Sequence, residues 1–374
     1  MKIAVDAREL TGKPTGVGRY LSELIAAWSE GHDAGRHDWQ FYAHRAPTVP
    51  ASFPSSVEVV PGGGGTHWEQ WSLARALAKD PPDVLFAPAY TAPLTAACPT
   101  MLTVHDVSFA AHPEWFSRRE GTRRRVLTAW SARRARVVVT DSAFSRDEIV
   151  RYLGIPAQKV RVVPLGMTRA PAMPTGNGGP TEHGPIEGRE PIILFVGSIF
   201  RRRHVDRLIA AFVDSVAYRV PQSRLEIVGE NRTYPPMDPF QAMATCPPAI
   251  RNRVTLRSYV DEATLHDLYR RAMVFAFPSD YEGFGLTPLE ALAAGVPSVV
   301  LDTPIAREVY GAAARFVPQD LSNHGALADA LTSLLTDAAS RREILRHADA
   351  LLARYDWHRT AAATLAALEE AAGA

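Results

Sequence analysis

The chain has 374 residues, 41 of them basic and 40 acidic, for a formal net charge of +1, which excludes bulk nucleic-acid binding by the whole chain and makes any basic patch local. That length exceeds what one hydrophobic core usually supports and predicts two domains of about 150 to 200 residues each. Cys98 and Cys246 fit neither a metal spacing nor a disulfide framework, no apolar run reaches the ~18 residues of a membrane span, and Met1 to Asp6 enters a strand directly, so a soluble protein of the reducing cytoplasm is expected.

Ile3 to Val5 reads as a strand. Beyond it, Gly12, Pro14, Gly16 and Gly18 read as a polar loop before a helix from Tyr20 to Trp28, whose apolar positions Leu21, Leu24, Ile25 and Trp28 recur at helical spacing. Leu21 stands where a third glycine would fall, so this is no dinucleotide fingerprint. A loop that closes over substrate and a plain solvent-facing turn are both consistent with it. Further strands are expected at Phe41 to Ala43, Val57 to Val60, Val84 to Ala87 and Met101 to Val104, with a helix from Trp68 to Ala78. The consecutive glycines Gly62 to Gly65 cannot lie inside a strand or helix and are expected to form a mobile loop on the acceptor side.

His105 and Asp106 stand at the carboxyl end of a strand, where α/β sheets place their ligands; a loop-capping histidine is the plainer alternative. The stretch from Ser117 to Arg136 holds Arg118, Arg119, Arg123, Arg124, Arg125, Arg133, Arg134 and Arg136. It reads as a helix with Val126, Leu127 and Trp130 turned inward, its basic face either simply solvated or a surface for anionic lipid or a lipid-diphosphate acceptor. Strands Val137 to Thr140 and Val160 to Val163, with a helix capped by Ser142 or Ser145 between them, complete a first domain over 1–169. Residues 170–190, crowded with proline and glycine, read as a linker. A second domain over 191–352 opens with strand Ile192 to Val196, then Gly197 and the run Arg201, Arg202, Arg203, His204; strands Leu225 to Val228 and Val254 to Leu256 follow, with Gly229 and Ser258 to Val260 at their ends. Residues 353–374 form a closing helix.

The most informative stretch runs from 274 to 301. An apolar strand enters a glycine-rich turn, a short helix follows, and a second strand begins at Ser298. Thr287 is expected to cap the helix, with Pro288 in its first position and Glu290 closing a capping box. Gly283 and Gly285 let backbone approach a ligand, and the free N–H groups of a helix start attract phosphate. Glu282 sits at the mouth of the same turn.

Glu282 and Glu290, seven residues between them, with Gly283-Phe284-Gly285 inside and Pro288-Leu289-Glu290-Ala291-Leu292-Ala293-Ala294-Gly295 after, are similar to the signature of family 4 retaining glycosyltransferases of the GT-B fold. That resemblance implies an α/β protein of two Rossmann-like domains facing each other across a cleft, an acceptor-binding first domain, a nucleotide-sugar-binding second domain, and a last helix crossing back to the first. It implies that Glu282 contacts the transferred sugar, with His105 and Asp106 in the same catalytic set. The donor diphosphate falls to Gly283, Phe284, Gly285, Leu286, Arg202, Arg203, Gly16 and Gly18; here Arg203 stands where the family has lysine. Ribose and base fall to Glu290, Tyr259, Val260 and Gly229.

The implied activity is transfer of a hexose from a nucleoside diphosphate sugar to a saccharide or lipid-linked saccharide hydroxyl. The segment from Met1 to Tyr20 and the His105-Asp106 strand end look most like bacterial polysaccharide mannosyltransferases using GDP-mannose. Neither a metal nor another cofactor is expected. A UDP-glucose enzyme, a GT-B epimerase and a non-catalytic sugar-nucleotide binder are the alternatives.

Overall fold

The computed structural model describes residues 1–12, 15–31, 33–168 and 188–373. Most of the expected linker, 170–187, and Pro14 lie outside them. The described chain divides into two compact units, one of residues 1–113, 118–166 and 355–374, the other of 114–117 and 167–354. Both are Rossmann-like.

The first unit is built on strands β1 (Lys2–Asp6), β2 (Asp38–Ala43), β3 (Ser55–Val59), β4 (Val84–Ala87), β5 (Thr100–Thr103), β6 (Val137–Thr140) and β7 (Val160–Val162). They lie in the order β3-β2-β1-β4-β5-β6-β7, every pairing parallel. Strands β4 and β6 are buried along their whole length, the pattern of parallel strands covered on both faces. Sheet order reverses between β1 and β4, which marks the crevice where such sheets hold ligands.

The second unit repeats the plan with β8 (Ile192–Val196), β9 (Arg224–Val228), β10 (Val254–Arg257), β11 (Val274–Phe277), β12 (Ser298–Leu301) and β13 (Ala314–Val317), again all parallel, in the order β10-β9-β8-β11-β12-β13. Its switch point lies between β8 and β11. Strand β13 has no counterpart among the expected elements, because its inner residues Arg315 and Phe316 are only half-buried and leave no continuous apolar run.

Several local expectations change. Helix α1 spans Gly16–Glu30, so Gly16 and Gly18 form its first turn instead of a loop; Thr15 caps it, accepting from Gly18 N at 2.9 Å. A side chain at position 18 would drive its Cβ to 2.4 Å from the Glu9 carbonyl oxygen, which explains glycine there. The glycine run from 62 to 65 is irregular, but it is packed: a Cβ at Gly62 would meet the Trp68 ring at 2.6 Å, and Gly64, at φ +67°, lies against His44. The helix after it begins as a π-helix, Trp68–Leu73, before turning α over Ala74–Lys79.

Helix α2, Arg118–Arg134, buries Gly121, Thr128, Ala129, Ser131 and Ala132, and leaves Val126 44% and Trp130 56% exposed. The inward face is thus the small-residue stripe, which permits close packing, and not the Val126 and Trp130 stripe. Helix α3, Ala143–Leu153, is capped by Ser142. Arg189, assigned to the linker, is anchored: its guanidinium donates to the carbonyls of Tyr269, Ala272 and Ala294, closing the ends of helices α4 (Glu262–Arg271) and α5 (Leu286–Ala293) together. Helices Gly325–Thr336 and Ala338–Leu345 are separated at Asp337, which caps the second by accepting from Ala339 N. Helix α6 spans Pro304–Tyr310. The closing helix, α7 (Trp357–Ala372), belongs to the first unit: Trp28 Nε1 donates to the Ala361 carbonyl at 2.9 Å and Thr360 Oγ1 to that of Pro164 at 2.8 Å.

Candidate active site

In the second unit, the switch point brings together the end of β8 and the end of β11. Past β8 the backbone turns at Gly197, where a Cβ would lie 2.6 Å from Arg203 Nη1, into the short turn Arg201–Arg203. Past β11 come Ser279 and Glu282. Arg203 grips Glu282 with two parallel hydrogen bonds, Nε to Oε1 at 2.7 Å and Nη2 to Oε2 at 3.1 Å, while Nη1 donates to the Ser198 carbonyl at 3.1 Å. Ser279 Oγ adds a third bond to Glu282 at 2.9 Å. Arg202 lies 3.9 Å from the same carboxylate and donates to the Tyr281 carbonyl at 3.0 Å. Both guanidinium groups rest on aromatic faces, Arg202 over Phe200 at 4.4 Å and Arg203 over Phe277 at 5.0 Å, which fixes them before any ligand arrives. Burial works to raise the Glu282 carboxyl, but the charges of Arg203 and Arg202 outweigh it and hold the group below its ordinary range.

The turn from Gly283 to Leu286 leads into α5. Gly285 is left-handed at φ +88°, and Tyr310 of α6 donates its hydroxyl to the Gly285 carbonyl at 2.9 Å. A Cβ at this position would sit 2.3 Å from that hydroxyl. Gly285, not Thr287, is the cap of α5, and Thr287 Oγ1 is buried without a hydrogen-bond partner, so the expected capping box does not form. The helix opens two residues earlier than the sequence pattern suggests, which moves Glu290 too deep to reach back to the cap. Instead Glu290 Oε2 accepts from Tyr269 of α4 at 3.2 Å.

Two base-side candidates stand apart. Tyr259, 82% exposed, and Val260 follow the edge strand β10 and share no hydrogen bond with Arg203, Glu282 or Glu290. Gly229 has a packing reason of its own, since a Cβ there would come within 2.0 Å of the Gly197 carbonyl oxygen.

In the first unit, His105 and Asp106 follow β5. The histidine's partner is Asp141, past the end of β6, at 2.8 Å from Nδ1, while Nε2 faces the Pro88 carbonyl at 3.1 Å. Burial works to lower the imidazole, but the Asp141 charge and hydrogen bond outweigh it and raise it above its ordinary value. Burial raises the Asp141 carboxyl as well, against the His105 charge and hydrogen bond that work to lower it. With both ring nitrogens engaged, His105 cannot offer a nitrogen to a sugar hydroxyl unless one of these bonds opens. Asp106 is likewise occupied, accepting from Ser108 N at 2.8 Å and from the Tyr90 hydroxyl at 3.0 Å. Gly16 and Gly18 lie at the start of α1, where Tyr20 sets its ring edge-on to His105 at 5.0 Å.

Sequence reasoning missed Asp141, Ser279 and Tyr310. Register would have found the first: Thr103 pairs with Val139, so His105 and Asp141, two residues further along each strand, come level.

The geometry is that of a preformed cation pair and a glycine turn at the carboxyl edge of a parallel sheet. Residues 14–169 match the family Glycosyltransferase Family 4, and residues 182–350 match Glycosyl transferases group 1. The chain belongs to the group 1 glycosyltransferases. Glycogen synthase of Mycobacterium tuberculosis is 27% identical to this glycosyltransferase over 93% of the chain and 89% of that protein. The O-antigen chain mannosyltransferase RfbU of Salmonella typhimurium is 26% identical over 64% of the chain and 62% of its own length. Among solved structures, HepE of Anabaena in complex with UDP-glucose superposes with a TM-score of 0.70 at 18% identity, covering 98% of this chain and all of that one, a likeness of fold. The protein is a hexosyltransferase of GT-B fold that takes its sugar from a nucleotide sugar.

Proposed function

We propose that this glycosyltransferase moves mannose from GDP-mannose to a hydroxyl of a saccharide or lipid-linked saccharide, with retention at the anomeric carbon. The observation that carries the assignment of the donor site is the bidentate Arg203–Glu282 pair beside the Gly283–Leu286 turn. A diphosphate arriving there meets Arg202, Arg203 and the amides that open α5, and its negative charge competes with Glu282 for Arg203. The carboxylate, released toward the sugar, is then available to a ring hydroxyl or to the positive charge that grows as the diphosphate departs. No enzyme nucleophile is required when the acceptor hydroxyl attacks from the face the diphosphate leaves. Glu290 holds the ribose, Tyr259 and Val260 the base. The assignment of Gly16 and Gly18 to the donor phosphates, and of His105 and Asp106 to the sugar, rests on the family resemblance. The charge of the two arginines and the turn makes a metal unnecessary, and the enzyme works in the cytoplasm.

The similarity to RfbU favours mannose. The UDP-glucose complex of a protein with the same fold favours a second reading, a UDP-glucose-dependent glucosyltransferase. Incubation with a panel of nucleotide sugars, following consumption and thermal stabilisation, tests both. GDP-mannose should be consumed and should raise the melting temperature most. Preference for UDP-glucose transfers the assignment to the second reading, and indifference to every nucleotide sugar overturns the donor site.

A further inference from the structure

A groove of about 270 Å³ runs along the surface of the first unit between α2 and α3, lined by Arg125, Val126, Trp130 and Arg133 from one helix and Tyr152 from the other. Val126, Trp130 and Tyr152 are 44%, 56% and 36% exposed, an unusual concentration of large apolar side chains in water. Val126, Trp130 and Arg133 fall on one helical stripe, so apolar and cationic groups share the same face. The charge on α2 is strongly basic, while α3 adds Asp147, paired with Arg146, and Glu148. Helix α2 carries seven arginines and one glutamate, and that glutamate, Glu120, is taken by Arg123 and Arg124. Among the described residues Arg125 has no carboxylate partner, Arg133 uses one N–H on the Leu153 carbonyl, and Arg151 stands over the Tyr152 ring at 5.1 Å. In a chain of net charge +1, this segregation is local and strong.

We infer that this face docks on the surface of an anionic lipid bilayer. Trp and Tyr settle at the boundary between headgroups and acyl chains, one end apolar and the other wet, while arginines beside them reach the anionic headgroups along their apolar stems. The α2–α3 groove supplies both components on one face. Because the fully buried residues of α2 are the small ones, much of the aromatic and basic stripe is left at the surface, with Arg133 alone tied to α3 through the Leu153 carbonyl. The inference does not depend on which sugar the enzyme transfers.

Flotation with phosphatidylcholine vesicles, with and without phosphatidylglycerol, tests it on the intact protein. Binding should require phosphatidylglycerol and fall as salt is raised. Arg125→Ser should reduce partitioning by about fivefold, and the double variant Trp130→Ser, Tyr152→Ser should reduce it further, both melting at the parental temperature because the replaced side chains are exposed. Arg342→Ser with Arg346→Ser, which removes two exposed arginines elsewhere, should float like the parent. Equal binding to neutral vesicles, no binding to either kind, or unchanged flotation of the groove variants overturns the inference. So does concentration-dependent self-association that Trp130→Ser abolishes, which would give this face to a second copy of the chain.

Discussion

Arg203 and Glu282, 79 positions apart, hold each other through both ends of a guanidinium–carboxylate fork. A charged pair this well matched is stable when complete and costly when halved, because a buried partner is left uncompensated. Arg203→Ala should weaken donor binding by about 1 to 3 kcal/mol, the loss of one charge-assisted contact. It should also lift the Glu282 carboxyl toward neutrality, since its largest favourable charge is gone. Calorimetric titration with the donor checks the first effect. Unchanged affinity would leave Arg203 as a partner of Glu282 alone.

The two glutamates separate by kind of damage. Glu282→Gln should cut turnover more than donor affinity, the mark of an interaction strengthened in the transition state. Glu290→Gln keeps an oxygen for the Tyr269 hydroxyl, so its melting temperature should hardly move while donor affinity falls. Turnover, titration and melts on both variants read the difference. A Glu282→Gln enzyme that keeps its rate would make the carboxylate structural.

The contact between His105 and Asp141 gives a pH signature. The imidazole is raised in the folded state, so the stabilisation is fully present below its unfolded value of about 6.5 and is lost as pH rises through the higher folded value. Thermal melts from neutral to alkaline pH should show that decline, and Asp141→Asn should flatten it. Parallel curves for the two proteins would deny the coupling.

Tyr310→Phe removes one hydrogen bond to the Gly285 carbonyl and should cost about 0.5 to 1.5 kcal/mol of stability. Because that bond fixes the turn before α5, donor affinity should fall as well. A melt that moves without any change in affinity would separate the turn from the donor.

Turnover should survive a chelator, the arginines and turn amides offsetting the diphosphate charge. Activity abolished by chelator and restored by magnesium or manganese would overturn this.

The sequence carried the fold well because parallel strands buried on both faces are continuous apolar runs, as at Val84 to Ala87 and Val274 to Phe277. The family motif assigned Arg203 to the donor diphosphate and Glu282 to the sugar, but not the ion pair between them. What it missed were relations made by register and by φ. Asp141 lies 36 positions from His105 and is brought level only by strand pairing. The cap of α5 fell to Gly285 because a left-handed glycine ended the turn two residues before the threonine that matched the local rule. On α2 the apolar pattern pointed to Val126 and Trp130, whereas close packing was achieved by Gly121, Thr128, Ala129 and Ala132.

The first unit is discontinuous along the chain, and this sets an order of events during synthesis. Residues 1–166 leave the ribosome early, yet the indole of fully buried Trp28 waits for Ala361, which follows the whole of the second unit. An emerging chain therefore holds an unfinished first unit, its α7 seat open and apolar, while the second unit completes around its own strands. A stop codon near residue 355 would spare every donor-side residue named above and strike instead the half of the protein that was made first.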